Sequence, residues 1–163
     1  MENPLTSLQN DAARTHQMVK QIDGPVLLVG HSYGGEVITE AGALPNVVGL
    51  VYVAAFAPDA GESAGQISQE HPPAAFSNIA PDSDGYLWIA QDKFKESFAQ
   101  DLSDEDAFVM AVTQKAPVGS TFGDTVTAPA WKVKPVWYQV STQDRMIDLD
   151  NERHASRRTV QIK

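Results

Sequence analysis

A glycine-rich hexapeptide near the start of the chain restricts what this sequence can fold into. Residues 30–35 read Gly-His-Ser-Tyr-Gly-Gly, directly after the apolar run 25–29 and directly before a helix-like stretch. A strand that turns at once into a helix forces the residue at the turn into a strained backbone conformation. We expect Gly30 and Gly34 to give this turn the room it needs. The pattern therefore predicts a nucleophile elbow, with Ser32 as the nucleophile.

The same turn predicts a site for a negatively charged oxygen. The backbone N–H of Tyr33 lies at the start of the helix, where unpaired N–H groups and the helix dipole favour negative charge. The hydroxyl of Ser32 and this donor would then face one space. We expect Gly30, His31 and Tyr33 to border it, with His31 as a structural or pocket-lining side chain.

Composition excludes several classes of protein. The chain has 163 residues, 42% of them hydrophobic, which predicts one domain over 1–163. The net charge of −9 argues against nucleic acid as a partner, and the absence of cysteine excludes thiolate chemistry. The four histidines show no metal-ligand spacing, so neither a metal nor a cofactor is implied. No apolar run is long enough for a membrane span and no signal opens the chain, so we expect a cytoplasmic protein.

Apolar periodicity predicts alternating helices and strands. A helix over 8–22, capped by Thr6 or Ser7, precedes a strand over 25–29. Further strands are predicted over 47–54, 135–140 and, at its start only, 159–162, with a helix over 149–158. The first two read as strands buried on both faces. This order predicts an α/β fold, a parallel sheet with flanking helices and right-handed crossovers.

Residues 57–130 form a long insertion, richer in Pro, Ser, Asp and Gly, between the second and third main strands. Helices are predicted over 92–100 and 105–114, and the insertion would form a lid over the carboxyl edge of the sheet. Its aromatic side chains either line an apolar substrate pocket, with Trp88 as a binding residue, or belong to a small helical core packed on itself. These side chains are Phe76, Tyr86, Trp88, Phe94 and Phe98.

Several phrases resemble the α/β-hydrolase superfamily, specifically its compact bacterial esterase-like members related to plant methyl-ester hydrolases and hydroxynitrile lyases. The matching segments cover nearly the whole chain: residues 4–8, 29–35, 52–58, 129–131 and 135–145. In that superfamily the catalytic residues come in the order serine, acid, histidine. The resemblance implies that Asp144 is the acid, with Asp148 and Asp150 as lesser candidates. The alternative for Asp144 is a solvated loop residue or a helix cap.

The chain also departs from the family pattern in two respects. It begins after the early strands and after the His-Gly phrase that supplies the second oxyanion donor. The family's histidine falls just beyond Lys163, so the simplest interpretation is a shortened hydrolase. His154 is a substitute candidate, although its helix should lead away from the site, and His71 in the insertion is a similar one. No motif places His16 or His71. An edge strand left unpaired would favour association with another copy.

The resemblance therefore implies a serine hydrolase that cleaves small or medium carboxylic esters through an acyl-enzyme on Ser32. Its partner would be a small-molecule ester, with no membrane and no nucleic acid. One alternative is a catalytically silent hydrolase that acts as a binding or self-associating module. Another is hydroxynitrile-lyase-like chemistry on the same residues.

Overall fold

A computed structural model describes residues 2–160 of the chain. Its helices and strands alternate in the first half and again near the end. In chain order they are α1 (Leu8–Val19), β1 (Val26–Ser32), α2 (Tyr33–Ala41), β2 (Val47–Ala55), α3 (Ala64–Glu70), β3 (Ile79–Pro81), β4 (Leu87–Ile89), α4 (Phe94–Phe98), α5 (Asp104–Thr113), β5 (Val136–Gln139) and α6 (Leu149–Thr159).

The main sheet has three parallel strands in the order β1-β2-β5. Helices α1, α2 and α6 pack on one face, where Val19, Ile38 and Ala155 join the buried strand residues Leu50 and Tyr52. Burial of this apolar face is the main source of stability for the sheet. All three strands end at the same edge, which brings the residues after β1 and β5 together.

The predicted α/β class and the main elements are confirmed, with shifted ends. Helix α1 begins after the Ser7 cap, as expected, but ends at Val19 and not at Ile22. The predicted fourth strand is wrong at its start, because Thr159 is the last residue of α6. Its remaining part, apart from the cap residue Val160, lies outside the described residues.

The second face of the sheet corrects another prediction. Side chains in β1 and β5 are exposed on this face: Leu27 by 51%, Val29 by 62% and Trp137 by 56%. Parallel strands are ordinarily covered on both faces, which is what their apolar sequence predicts. Here β1 is an edge strand of the described sheet and its apolar side chains face solvent, because the helices that pack on the sheet, α1, α2 and α6, lie on the opposite face. We call this surface the bare face.

The insertion folds as short elements above the carboxyl edge of the sheet. It contains α3, the antiparallel pair β3–β4, and the helices α4 and α5. Phe94, Ala99, Ala107 and Ala111 form a small buried cluster between α4 and α5. Within residues 2–160, no helix combines the length and hydropathy that a membrane crossing requires.

Candidate active site

Ser32 lies at the junction between β1 and α2. Its backbone has φ 52° and ψ −125°, a conformation that residues other than glycine rarely adopt. The Ser32 carbonyl accepts a hydrogen bond from the N–H of Phe56 at 3.1 Å, just beyond β2. Next to this contact the register of β1 against β2 shifts, and Ala54 takes a φ of 41°. The strained turn is therefore held in place by the neighbouring strand.

Two glycines make this turn sterically possible, and one of them differs from the prediction. A Cβ on Gly30 would lie 2.4 Å from the carbonyl oxygen of Gly34. A Cβ on Gly35 would lie 2.3 Å from the carbonyl oxygen of Phe56. A Cβ on Gly34 would meet no atom within 4 Å, so the second close approach falls on Gly35.

The Ser32 side chain does not cap the helix that it precedes. The side chains of Ser7, Ser63 and Ser103 each accept a hydrogen bond from the first turn of their helices. Ser32 occupies the same position before α2, yet its side chain makes no such bond. A serine at this position ordinarily stabilises the helix through its oxygen. The Ser32 hydroxyl is left available to the space outside the helix.

Tyr33 anchors the start of α2 to α1. Its side chain is buried, and its hydroxyl donates a hydrogen bond to Oδ2 of Asp11 at 2.9 Å. Burial raises the pKa of the Tyr33 phenol, with the negative charge of Asp11 as the next cause, so the phenol stays protonated and donates. Oδ1 of Asp11 accepts the N–H of Leu5 at 2.9 Å. The backbone N–H predicted to bind an oxyanion therefore begins a helix that is fixed by Asp11 on α1 and, through the Ser32 carbonyl, by the N–H of Phe56.

Asp144 lies in the loop after β5 and borders the same cavity of about 380 Å³ as Ser32. Its Oδ1 accepts the backbone N–H groups of Met146 at 2.6 Å and Ile147 at 2.9 Å. Within residues 2–160, its Oδ2 makes no hydrogen bond. One oxygen thus orients the carboxylate and the other is free to accept a further donor.

The two lesser acid candidates have structural roles. Asp148 caps α6 by accepting the N–H of Asp150 at 2.9 Å, and Asp150 pairs with Arg153 at 3.4 Å. Neither borders the cavity beside Ser32. The helix-cap interpretation that the sequence left open for Asp144 therefore describes Asp148.

The histidines are distributed over separate parts of the molecule. His154 is exposed on α6 and borders a different cavity of about 180 Å³, together with Glu62 and Arg158. Ser32 does not border that cavity, so the structure does not bring His154 to the predicted nucleophile. Nε2 of His16 lies 3.1 Å from the carbonyl oxygen of Ala41. Among the described residues, no histidine makes a hydrogen bond to Ser32 or Asp144.

His31 is the histidine that borders the space around Ser32. It lines the 380 Å³ cavity and a second cavity of about 560 Å³, and its ring meets Phe98 edge-on at 5.9 Å between centroids. Burial lowers the pKa of His31, and the negative charge of Asp144 acts in the opposite direction. The structure thus places His31 beside Ser32, and its role in binding stays a prediction.

The larger cavity is mainly apolar and opens beside Ser32. The insertion and the residues before α1 supply its apolar lining: Leu5, Ile79, Leu87, Ile89, Phe94, Phe98, Met110 and Phe122. Of the five predicted aromatic side chains, Phe94 and Phe98 lie here, so the pocket and the helical core share residues. Trp88 does not line either cavity, because it faces away from Leu87 and Ile89 on β4 and donates to Asp82 at 2.9 Å.

Sequence reasoning missed two buried carboxyl groups and one surface cluster. Glu36 on α2 and Glu152 on α6 are fully buried. His71, Asp148 and Asp150 bring possible ligand atoms within 4.8 Å of one another. This cluster adjoins the start of α6, where the helix dipole disfavours a cation. His71 lies far in sequence from Asp148 and Asp150, and each buried glutamate meets partners from distant segments, so no spacing signal reveals these contacts.

The fold and the elbow define the class of protein, and a sequence comparison agrees. Residues 2–162 match the alpha/beta hydrolase family, and the chain belongs to that family. No curated protein sequence matches the chain at a significant level.

Solved structures of hydrolases share this fold. A pyrethroid hydrolase from Sphingobium faniae superposes with a TM-score of 0.74 and 17% identity, over 97% of this chain and 67% of its own. A methylesterase from Arabidopsis gives 0.71 and 18%, over 96% and 66%. An extracellular alpha/beta-hydrolase from a Paenibacillus species gives 0.76 and 16%, over 99% and 70%. Against a pyrethroid hydrolase variant with 20% identity and a TM-score of 0.74, 92% of this chain spans 63% of that protein.

Proposed function

We propose that this chain carries the nucleophile and the acid of a serine hydrolase acting on small or medium carboxylic esters. The observation that supports this most is the left-handed backbone of Ser32, whose side chain does not cap α2 and whose residue borders two cavities. Strain of this kind costs about 1–3 kcal/mol and is kept mainly where function requires it. The methylesterase named above is ester-cleaving by its name, and the pyrethroid hydrolase is a hydrolase by its name, which fits this reaction class.

In the proposed mechanism, Ser32 attacks the ester carbonyl carbon while an imidazole takes the hydroxyl proton. The backbone N–H of Tyr33 stabilises the oxyanion, and the carbonyl re-forms as the alcohol leaves with the proton from the imidazole. Water then cleaves the acyl-enzyme by the same steps. Asp144 would orient the imidazole and stabilise its protonated form through Oδ2.

The mechanism requires an imidazole in the 380 Å³ cavity, because both Ser32 and Asp144 border that space. Among the described residues, His31 is the histidine that borders this cavity, and it makes no hydrogen bond to Ser32 or Asp144. The 560 Å³ cavity would take the carbon-rich part of the ester, since most of its lining is apolar. Its volume lies within the roughly 300–1,000 Å³ range of small-molecule sites.

A fluorophosphonate probe tests this proposal, because its phosphorus bonds to an activated serine oxygen as fluoride leaves. We expect one adduct by intact mass, lost in Ser32→Ala and retained in the exposed control Ser77→Ala. Asp144→Asn should slow labelling by up to roughly 10⁴-fold, as when the acid of a catalytic triad is replaced. An adduct that persists in Ser32→Ala, or a folded wild-type chain that stays unlabelled, would overturn the proposal.

A second candidate function is self-association without catalysis, and the bare face favours it. Leu27, Val29 and Trp137 are exposed there, and β1, β2 and β5 contain no Asp, Glu, Lys or Arg. Covering this face with a second copy therefore brings no like charges from these strands together, despite the net charge of −9 on each chain. Within residues 2–160, the outer edge of β1 is unpaired, and its backbone N–H and C=O groups offer a second place for another copy to bind.

Light scattering during size-exclusion chromatography tests the second candidate. We expect a dimer that Val29→Lys dissociates, because the substitution puts a charge on the bare face. The control Val109→Lys changes an exposed side chain on α5. A monomeric wild-type chain at high concentration would refute self-association.

A cytoplasmic location is part of the overall proposal, and fractionation of cells that make the full chain would test it.

A further inference from the structure

Glu152 is a fully buried carboxyl group that the proposed mechanism does not use. It lies in α6, behind the loop that carries Asp144. Its Oε2 accepts the backbone N–H of Ser141 at 2.8 Å. Within residues 2–160, its Oε1 has no hydrogen-bond partner. A buried carboxyl group with an unused oxygen is costly, so this position calls for a physical explanation.

The Ser141 contact connects Glu152 to Asp144 through the backbone. Ser141 lies shortly after the end of β5, and its carbonyl oxygen accepts the N–H of Asp144 at 3.2 Å. Both Ser141 and Asp144 border the 380 Å³ cavity. The hydrogen bond from Ser141 to Glu152 therefore fastens the turn at residues 141–144 to α6, and Glu152 itself does not line the cavity.

The surroundings of Glu152 make its charge variable near neutral pH. Burial raises the pKa of Glu152 to about 7, the Ser141 N–H opposes this rise, and the negative charge of Asp144 adds to it. From β5, the Tyr138 phenol is the titratable group that senses Glu152, and burial raises the pKa of that phenol as well. Asp144 is therefore the neighbouring charge that is coupled to Glu152 across the turn.

We propose that Glu152 is a positioning residue that holds the 141–144 turn against α6 and, when it ionises, adds a negative charge near Asp144. The inference rests on the proposed function, in which Asp144 is the acid. Ionised Glu152 accepts a stronger, charge-assisted hydrogen bond from Ser141. It also adds negative charge to the field that stabilises a protonated imidazole in the cavity. Reactivity of Ser32 should therefore gain from the ionised form.

Labelling rates from pH 5.5 to 9 separate the two roles. Glu152→Gln keeps an oxygen for the Ser141 N–H but removes the charge, so it should match the wild type at pH 5.5. Above about pH 7.5, the labelling rate of Glu152→Gln should be several-fold lower than that of the wild type. Glu152→Leu removes both and should be slower at every pH, by roughly tenfold to a hundredfold for a misplaced catalytic group. The exposed control Glu105→Gln should follow the wild type throughout.

A measurement without a substrate tests the same coupling. The side-chain carboxyl carbon of Glu152, followed by NMR, should titrate near pH 7 and at lower pH in Asp144→Asn, because a negative neighbour is gone. An unchanged midpoint, or Glu152→Gln that labels like the wild type at every pH, would overturn the inference. If Glu152→Leu does not fold, the pH dependence of Glu152→Gln decides. If the wild type is unlabelled, the proposed function has failed and the NMR midpoint alone decides the coupling.

Discussion

Replacing Glu36 by glutamine should make the protein more stable at alkaline pH but not at acidic pH. Glu36 is fully buried on the elbow helix α2, where Oε1 accepts the N–H of Ala64 at 3.3 Å. Burial raises the pKa of Glu36 to about 8, and the charges of Asp124 and Glu40 contribute further. Within residues 2–160, its Oε2 has no hydrogen-bond partner.

The sign of the effect follows from proton binding. Between pH 4.5 and about 8, the folded chain holds a proton on Glu36 that the unfolded chain has released. The stability of the wild type must therefore decrease as pH rises through this window. At about 1.36 kcal/mol for each pH unit, the loss above pH 8 reaches about 5 kcal/mol. A glutamine side chain cannot ionise, so the Glu36→Gln variant escapes this loss.

Urea unfolding at pH 5 and pH 8.5, followed by the fluorescence of the buried Trp131, measures the effect. The amide introduced by Glu36→Gln leaves a donor without a partner, which costs about 1–3 kcal/mol at both pH values. The informative quantity is therefore the change with pH of the difference between variant and wild type, expected to be about 3–5 kcal/mol. The slope from Glu152 is common to both proteins and cancels. A difference that is equal at both pH values, as expected for the exposed control Glu105→Gln, would refute the reasoning.

Two further predictions concern the elbow and its support. Gly30→Ala should lower the free energy of unfolding by about 1–3 kcal/mol, because its Cβ meets the backbone of Gly34. Gly34→Ala should change it by less than about 1 kcal/mol in the same urea titration, and equal losses would contradict this account. Asp11→Ala leaves the Tyr33 hydroxyl and the Leu5 N–H without an acceptor, at about 1–3 kcal/mol each. It should also slow labelling of Ser32, and a stable variant that labels at the wild-type rate would show that this anchor does not position the elbow.

Local sequence signals predicted the elements around the sheet well. The strand, glycine turn and helix at residues 26–41 follow each other without a gap, so neighbouring residues alone specify them. The same holds for β2, β5 and α6, each a compact apolar or amphipathic run. The short pair β3–β4 escaped prediction, because three-residue strands that include Pro81 show too little alternation.

The candidate site shows a similar division. The elbow motif predicts Ser32 and the family resemblance implies Asp144, and the structure brings them to one cavity. Trp88 was assigned to the pocket on residue type, yet alternation along β4 turns it outward while Leu87 and Ile89 face in. His154 was considered on its distance in sequence from Asp144, and the direction of α6 takes it to another cavity. Sequence distance does not reveal direction in space.

The sequence by itself determined the parallel α/β fold, the strained turn at Ser32 and the position of Asp144 after a strand. Each depends on interactions among residues close in the chain, or on the rule that parallel strands end at one edge. Tertiary structure alone decided that Gly35 and not Gly34 carries the second close approach, and that Glu36 and Glu152 are buried. It also decided that one face of the sheet is exposed. These properties depend on which distant segments pack together, and packing is a property of the whole fold.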